Sequence, residues 1–366
     1  MVMDNRLLEI AERLKPYLRR MHLCKVAYIL LRPFGSQRKT MMTLEEAEAI
    51  LQQIHTGSDK SCICNNHIEE CPRYDLKVIV PAYNAERFIK RCLDSILNQE
   101  TKYTFQVAVT DDGSTDATSD ILKEYADRIT VTTQENKGVA TARNIALRSI
   151  DAKYIMFVDA DDTIAPNTIE RLLDAAYSND ADIVECAHER VSLNGKTISR
   201  HYGTTGYVCG KLIRSRLFEH IQFPEGYWHE DGVIQTLVKP LARNICMTDH
   251  IGYLYTYNPY STTSQERQQP KLLDIYWMCK IEDDDRLTLG IPDTQQWYEE
   301  CLDDIIRLLS QTWRVPQSDA YAAAMMHQMH GERMRNFATS KWRLRLIERE
   351  IRAGRIDGAK LAAIML

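Results

Sequence analysis

The spacing of apolar and polar residues changes character near residue 76. Upstream, Leu7, Leu8, Ile10, Ala11, Leu14, Tyr17, Leu18 and Met21 recur at helical intervals with Arg13, Lys15, Arg19 and Arg20 between them. Residues 6–31 therefore predict an amphipathic helical stretch, which Pro16 should interrupt or kink because it lacks an N–H and crowds the preceding turn. A second helix is predicted over 44–54, followed by a polar linker over 57–75.

From Leu76 onward, short apolar runs alternate with helical periods. Strands are predicted at 76–80, 105–110, 129–133, 154–158 and 182–186. Helices are predicted at 85–97, 116–126, 139–149 and 166–177. Phe88, Ile89, Cys92, Leu93 and Ile96 line one face of the first of these helices, and Pro166 suits a first helical turn. Such alternation predicts parallel strands joined by crossover helices, with Asn194-Gly195 as a hairpin turn further on. Beyond residue 260 helices are predicted over 272–281, 299–310, 320–330 and 342–351. The chain thus reads as a helical N-terminal extension and cysteine-containing linker (1–75), an α/β domain (76–260) and a helical C-terminal region (261–366).

The candidate chemistry sits where the strands end. Pro81-Ala82-Tyr83-Asn84, Asp111-Asp112-Gly113-Ser114-Thr115-Asp116 and Asp159-Ala160-Asp161-Asp162 each follow a predicted strand, and open α/β sheets bind ligands outside the carboxyl ends of their strands. The three segments should gather in one cleft. Carboxylates repel one another and also repel a nucleotide diphosphate, unless a hard cation such as Mg²⁺ or Mn²⁺ stands between them. Asp161 is the first candidate for such a cation. Asp112 exceeds what a turn requires, whereas Asp116 reads as a helix cap.

Taken together, Val78-Ile79-Val80-Pro81-Ala82-Tyr83-Asn84, residues 92–99, the Asp-Asp-Gly-Ser-Thr-Asp run, Glu135-Asn136-Lys137-Gly138 with Ala142-Arg143-Asn144, and Phe157-Val158-Asp159-Ala160-Asp161-Asp162 resemble the family 2 glycosyltransferases of bacterial cell-surface polysaccharide synthesis. The likeness covers roughly residues 76–260. It implies a Rossmann-like mixed sheet flanked by helices, the glycosyltransferase A fold. It also implies metal-dependent transfer of a sugar, of the hexosyl type, from a nucleotide diphosphate sugar (UDP-linked) to a hydroxyl of a glycan or lipid-linked acceptor, with inversion at the anomeric carbon.

On the matching positions, Pro81, Ala82, Tyr83 and Asn84 would line the nucleotide, with Pro81 and Tyr83 on the base and Asp112 on its edge. Asp159 would reach the ribose or the metal, and Asp161 would be the principal metal ligand. Lys137 would approach the nucleotide. Arg143 could pair with a phosphate or with a carboxylate by charge alone, and the resemblance favours the ligand. Downstream, Lys211, Trp228, His229 and Glu230 would serve the sugar or acceptor. An acceptor hydroxyl must lose a proton as it attacks, so a carboxylate is needed beside it, and Asp231 is the candidate base. Glu230 and Asp231 would equally suit a helix N-terminus. His229 would more ordinarily be a packed histidine, and Tyr227 and Trp228 suit a sugar face or a core.

Composition changes this picture little: 44% hydrophobic and 27% charged residues in 366 are ordinary for a globular chain. Charge is uneven, however. Residues 1–39 carry +6 and residues 332–366 carry +5, leaving −16 between them out of a total of −5. The basic ends suggest contact with an anionic membrane surface, against a solvated face or a dimerising one on the C-terminal helices as the plainer account. No run approaches the roughly twenty apolar residues of a membrane span and no secretory signal stands out. A cytoplasmic protein is expected, at the inner face of the plasma membrane if the ends bind lipid.

Ten cysteines in a chain this long do not suggest a disulfide framework; those at 92, 186, 246, 279 and 301 read as small core residues. Cys62, Cys64, His67 and Cys71 could hold zinc, although C-x-C is tighter than the usual spacing, and a reduced cysteine-rich linker is the competing account. Neither G-x-G-x-x-G nor G-x-x-x-x-G-K-[ST] occurs, which sets aside dinucleotide-dependent dehydrogenases and P-loop enzymes. No nucleic-acid partner is expected. The competing readings are a sugar nucleotidyltransferase, whose Gly-rich opening loop is replaced here by Pro81–Asn84, and a non-catalytic relative that binds nucleotide sugar or scaffolds a complex.

Overall fold

The computed structural model describes residues 5–21, 23–35, 42–258, 269–330 and 332–366. The expected boundary at residue 260 and the basic Arg38 and Lys39 lie outside the described residues. Two compact units emerge. One contains residues 1–56, 262–279 and 292–366, so the N- and C-terminal segments build it jointly; the other contains 57–261 and 280–291.

The first unit begins with α1 (Asn5–Arg20), α2 (Cys24–Gly35) and α3 (Leu44–Leu51). Pro16 does not interrupt α1; the helix runs through it and breaks instead at the turn before Cys24. A proline forfeits one backbone hydrogen bond, and tertiary packing of Leu8 and Ala11, both buried, retains the helix around it. Thr43 caps α3: its hydroxyl accepts the Glu46 N–H while the Glu46 carboxylate accepts the Thr43 N–H, a reciprocal pair that sets the helix start.

The second unit is an α/β sheet. In chain order it contains β1 (His67–Ile68), β2 (Tyr74–Ala82), α4 (Ile89–Leu97), β3 (Phe105–Asp111), α5 (Thr118–Lys123), β4 (Thr130–Thr133), α6 (Val139–Leu147) and β5 (Ser149–Ile150). These are followed by β6 (Ala152–Phe157), β7 (Thr163–Ile164), α7 (Thr168–Ser178), β8 (Ile183–Val191), β9 (Thr197–His201), β10 (Lys211–Arg214) and β11 (Ile245–Thr256). The main sheet has the order β4-β3-β2-β6-β10-β8-β11-β7, with β9 paired to β8. β4, β3, β2 and β6 are parallel as predicted. β10 then inserts antiparallel between β6 and β8, making the sheet mixed.

Both faces of the parallel half are covered, which is why its strands read as nearly continuous apolar runs. Leu76, Val78 and Val80 of β2 face the helices α4, α5 and α7 with Ile89, Leu93, Leu122 and Leu172. Ile79 of the same strand, with Ile155 and Phe157 of β6, meets α6 and the segment holding Phe218, Phe223 and Val233. Lys77 shares that second face; its ammonium is buried and donates to the carbonyls of Ala146 and Ser149 at 2.7 and 2.8 Å. Burial pushes this lysine down to about 8.

Two local expectations change. Pro166 precedes α7 rather than occupying its first turn, and Asn167 takes a left-handed conformation (φ 61°) to start it. The helix that Glu230 and Asp231 were expected to start runs over 232–241, but a π-helical turn, Ile234–Val238, forms its middle. The Asn194-Gly195 hairpin forms, with Gly195 at φ 78° between antiparallel β8 and β9.

The remaining helices are α8 (Ile275–Thr288), which contributes to both units, and α9 (Gln295–Thr312), α10 (Ser318–His330), α11 (Glu332–Asn336), α12 (Trp342–Arg352) and α13 (Ile356–Met365) in the first unit. α13, for which the sequence offered no signal, is buried over Gly358–Met365 and packs on α1, α2, α9 and α12. The Glu350 carboxylate is wholly buried and ties the chain's ends together. It accepts from Tyr28 Oη at 2.7 Å, Arg32 Nε at 2.9 Å and Arg355 Nε at 2.6 Å. Among the described residues no helix is long and apolar enough to cross a membrane.

Candidate functional site

The carboxyl ends of β2, β3 and β6 are stitched together by side chains from their own loops. Pro81 and Ala82 close β2, buried, while Tyr83 beyond them is 49% exposed. Asn84, at φ 47°, donates its backbone N–H to Ser114 Oγ at 3.0 Å and accepts the Thr115 N–H at 2.8 Å, pinning the β2 loop to the β3 loop. Gly113 turns the latter at φ 73°, where a Cβ would stand 2.9 Å from the Asn136 nitrogen.

The doubled aspartate divides its labour. Asp111 holds its own loop, accepting from the Ser114 N–H at 3.0 Å and from Ser119 Oγ at 2.5 Å. Asp112, nearly fully buried, accepts Gln134 Nε2 and the Lys137 N–H on Oδ1 and the Gly138 N–H, at 2.8 Å, on Oδ2. It thereby fixes the approach to α6, the helix that carries Arg143. Asp116 caps the start of the α5 turn through the Thr118 N–H at 3.0 Å and also accepts the Glu86 N–H.

α6 brings together two regions far apart in sequence. Asn144 clamps the backbone of Phe223 from both sides, donating to its carbonyl at 2.9 Å and accepting its N–H at 2.8 Å. That clamp carries the following segment, through Trp228, His229, Glu230 and Asp231, to the neighbouring Arg143. The Arg143 guanidinium is buried over the Phe223 ring and bridges Glu230 Oε1 at 2.5 Å and Asp159 Oδ1 at 2.9 Å. Its buried Nε finds no hydrogen-bond partner among the described residues. Burial above all raises the Glu230 carboxyl, which lies at about 7 once the downward pull of Arg143 and the upward push of Asp231 are included.

The three aspartates after β6 face different ways. Asp162 is buried and structural: Tyr253 Oη donates to it at 2.6 Å and the Thr256 N–H at 2.7 Å, so it anchors β11. Asp159 receives Arg143 on Oδ1 and the Cys209 thiol on Oδ2 at 3.4 Å. Asp161 accepts Asn258 Nδ2 at 3.3 Å, and its carbonyl accepts Arg91 at 2.9 Å. Burial, and then the charge of Asp159, hold the Asp161 carboxyl above the usual range. Such a carboxylate gains from a nearby cation.

Asp161 and Asp159 suit a hard metal ion by their oxygen chemistry. Among the described residues no group of three or more His, Cys, Asp and Glu side chains is placed to hold one unaided. A cation there would complete its shell with diphosphate oxygens and water, the usual manner of Mg²⁺. The cysteine-rich linker does not gather into a zinc site. Cys62 is fully buried, with burial pushing its thiol up, while His67 is exposed and paired with Glu69 at 3.0 Å.

Other expected site residues are placed less openly. Lys211 is only 1% exposed, its ammonium held by Thr205 Oγ1, the Tyr207 carbonyl and Glu185. Lys239 binds the same Glu185 at 2.8 Å, so this cluster anchors the loop leading to Cys209. Tyr227 is buried against Gly57, where even a Cβ would stand 2.1 Å from its ring. Trp228, His229 and Asp231 are half-buried, whereas Lys137 at the turn into α6 is exposed. Sequence reasoning missed Cys209, Tyr253, Asn258 and Arg91. Tyr253 lies in a readable alternating run, but its meeting with the Asp159–Asp162 loop depends on the antiparallel pairing of β7 and β11.

Comparison with known proteins agrees with this architecture. Residues 77–248 match the family "Glycosyl transferase family 2". The chain is 32% identical over 210 residues to glycosyltransferase GlyA of Streptococcus pneumoniae, covering 49% of this chain and 30% of that protein. It is 35% identical over 180 residues to the minor teichoic acid biosynthesis protein GgaB of Bacillus subtilis, covering 43% and 20%. The chain thus matches less than a third of the length of these two relatives. The crystal structure of S. aureus TarS 1-349 in complex with UDP-GlcNAc superposes with a TM-score of 0.61 over 78% of this chain and 89% of that one, at 20% identity. Residues 77–248 of this chain are thus similar to the family 2 glycosyltransferases, and the fold is the glycosyltransferase A fold.

Proposed function

We propose that the protein transfers a sugar from a nucleotide diphosphate sugar, with UDP as the expected carrier, to a hydroxyl of a glycan or lipid-linked acceptor in cell-surface polysaccharide synthesis. The observation that carries this reading is the convergence of Asp112, Arg143, Asp159, Asp161 and Glu230 where three parallel strands end. The names of the related proteins, glycosyltransferases and a teichoic acid biosynthesis protein, support the substrate class.

In this reading Pro81, Ala82, Tyr83 and Asn84 flank the nucleotide base. Asp112 contacts its edge through the acceptor capacity left on Oδ2, which among the described residues takes only the Gly138 N–H. Asp159 turns to the ribose or metal, and Lys137 lies by the nucleotide. Asp161 and Asp159 would hold Mg²⁺ or Mn²⁺, which when bound offsets the charge of the diphosphate. Arg143 keeps Glu230 and Asp159 apart and oriented. Lys211, bound within its loop, shapes the acceptor side rather than reaching into it, while Trp228 and His229 border that side.

The reaction is a single displacement. The acceptor oxygen attacks the anomeric carbon from the face opposite the diphosphate, forming one C–O bond as the other breaks, and the nucleoside diphosphate departs with the bonding pair. Asp231 takes the hydroxyl proton, and the anomeric configuration inverts.

The test is turnover of the purified chain with a panel of nucleotide sugars, with and without chelator. Release of nucleoside diphosphate with one donor, dependent on divalent metal and lost in Asp161→Ala, is expected. Binding of a nucleotide sugar with no turnover across the panel, acceptors included, would favour the non-catalytic reading.

A further inference from the structure

Helix α1 is apolar on two faces, and only one of them is used. Leu8 and Ala11 are buried at 2% and 0% exposure, yet Ile10, Leu14, Tyr17 and Met21 stand 49%, 43%, 69% and 56% exposed. At the α-helical turn angle these four side chains fall in one sector about 60° wide. Arg6, Arg13 and Arg20, all exposed, form a row along its edge at seven-residue intervals. α2 repeats the arrangement. It buries Tyr28 completely and exposes Val26, Ile29 and Leu30, with Leu23 just before it, at 40–66%, and exposed Lys25 lies beside them. The Lys25 ammonium lies 5.8 Å from the centre of the Trp342 ring on α12, itself 51% exposed.

We propose that α1, α2 and Trp342 form a surface that seats in the headgroup region of an anionic lipid bilayer. Isolated exposed leucines are ordinary, but contiguous apolar stripes mark interaction sites. The charge pattern selects the occupant. Residues 5–35 hold seven Lys/Arg and two Asp/Glu, and of those two acids Glu12 is already paired with Arg314 at 2.9 Å. An antiparallel second copy of α1 would bring two arginine rows face to face, whereas lipid phosphates neutralise them. Arginine and lysine stems can lie along the apolar boundary with their charges in the headgroups, and a tryptophan suits the same depth. The surface would hold the protein where lipid-linked acceptors are found, and only in that purpose does it rest on the proposed function.

The experiment is co-sedimentation of the full chain, without nucleotide sugar, with vesicles of phosphatidylglycerol and phosphatidylcholine or of phosphatidylcholine alone. Wild type should pellet with the anionic vesicles and be released as salt rises. Leu14→Ser/Tyr17→Ser/Ile29→Ser should lose at least about tenfold in affinity while keeping its circular dichroism and its turnover with a soluble acceptor. Arg13→Gln/Arg20→Gln should lose the preference for anionic vesicles. Wild type that stays in the supernatant with both vesicles, or a triple variant that pellets like wild type, overturns the proposal. So does concentration-dependent self-association that the triple variant abolishes, since the occupant would then be a second copy. Vesicle binding is read without any transfer reaction, so failure of the transferase reading leaves this result intact, and the reverse also holds.

Discussion

Arg143 and Glu230, 87 positions apart in the chain, meet in a buried ion pair of 2.5 Å whose other arm reaches Asp159 at 2.9 Å. The pair joins the segment carrying the candidate base to the loop carrying the candidate metal ligands. A buried guanidinium between two acids keeps both in place at once, and the deeply buried Glu230 is poorly tolerated as a carboxylate without it.

Removing that cation should therefore unfold more than it disarms. Arg143→Met leaves Glu230 desolvated without its partner, and a loss of about 3 kcal/mol in urea unfolding is expected. Arg143→Met/Glu230→Leu should recover much of it, because the deeply buried carboxylate is gone and the remaining Asp159 is open enough to be solvated. Single and double variants of equal stability would show the pair to be energetically idle.

Asp161 should behave in the opposite manner. Its carboxyl is raised by burial and by Asp159, so neutralising it relieves strain in the metal-free protein. Asp161→Asn is expected to melt at or above the wild-type temperature while losing metal-dependent nucleotide binding. Calorimetry and nucleotide titration in Mn²⁺ read the two effects separately, and undiminished metal-dependent affinity would remove Asp161 from the metal site.

Asp231→Asn preserves shape but cannot take a proton. Transfer should fall by about 10²-fold or more with nucleotide affinity close to wild type. If affinity falls instead and the maximal rate holds, Asp231 is a binding residue and Glu230 becomes the next candidate base.

Gly113 makes a backbone test. With φ at 73° and a Cβ that would meet the Asn136 nitrogen at 2.9 Å, Gly113→Ala should cost about 1–3 kcal/mol and loosen the Asp112 contacts with Lys137 and Gly138. Unfolding free energy unchanged from wild type would mean that the loop refolds around the methyl group without strain.

Lys77 predicts a pH dependence. Its folded-state value lies near 8 against 10.5 for a free lysine, so the unfolded chain binds the proton more tightly. Keeping the charge buried costs stability below about pH 8, and that cost fades as pH rises towards 10.5. Relative to Lys77→Met, wild type should gain as much as about 3 kcal/mol across that interval. A flat difference between the two proteins would show that the ammonium is solvated in the fold.

Much of the α/β half was legible because its strands and helices are local patterns. Val78, Val80 and Ile79 alternate between two buried faces, and acids after strands are visible wherever strands are. The glycosyltransferase A fold and the cluster of motifs at the strand ends followed from such signals together with the resemblance they carried. What sequence could not supply depends on partners far along the chain. Lys77 and Lys211 are ordinary lysines until the fold buries them, and Asp162 differs from Asp161 only because Tyr253 and Thr256 arrive at one and not the other. The insertion of β10 antiparallel between β6 and β8 leaves no mark in a four-residue strand. Nor does the sharing of one unit by the two ends of the chain, since Tyr28 and Glu350 declare their hydrogen bond only once packed. Periodicity reports which face of an element is apolar; only tertiary structure decides what that face meets, and on α1 it left one such face in the open.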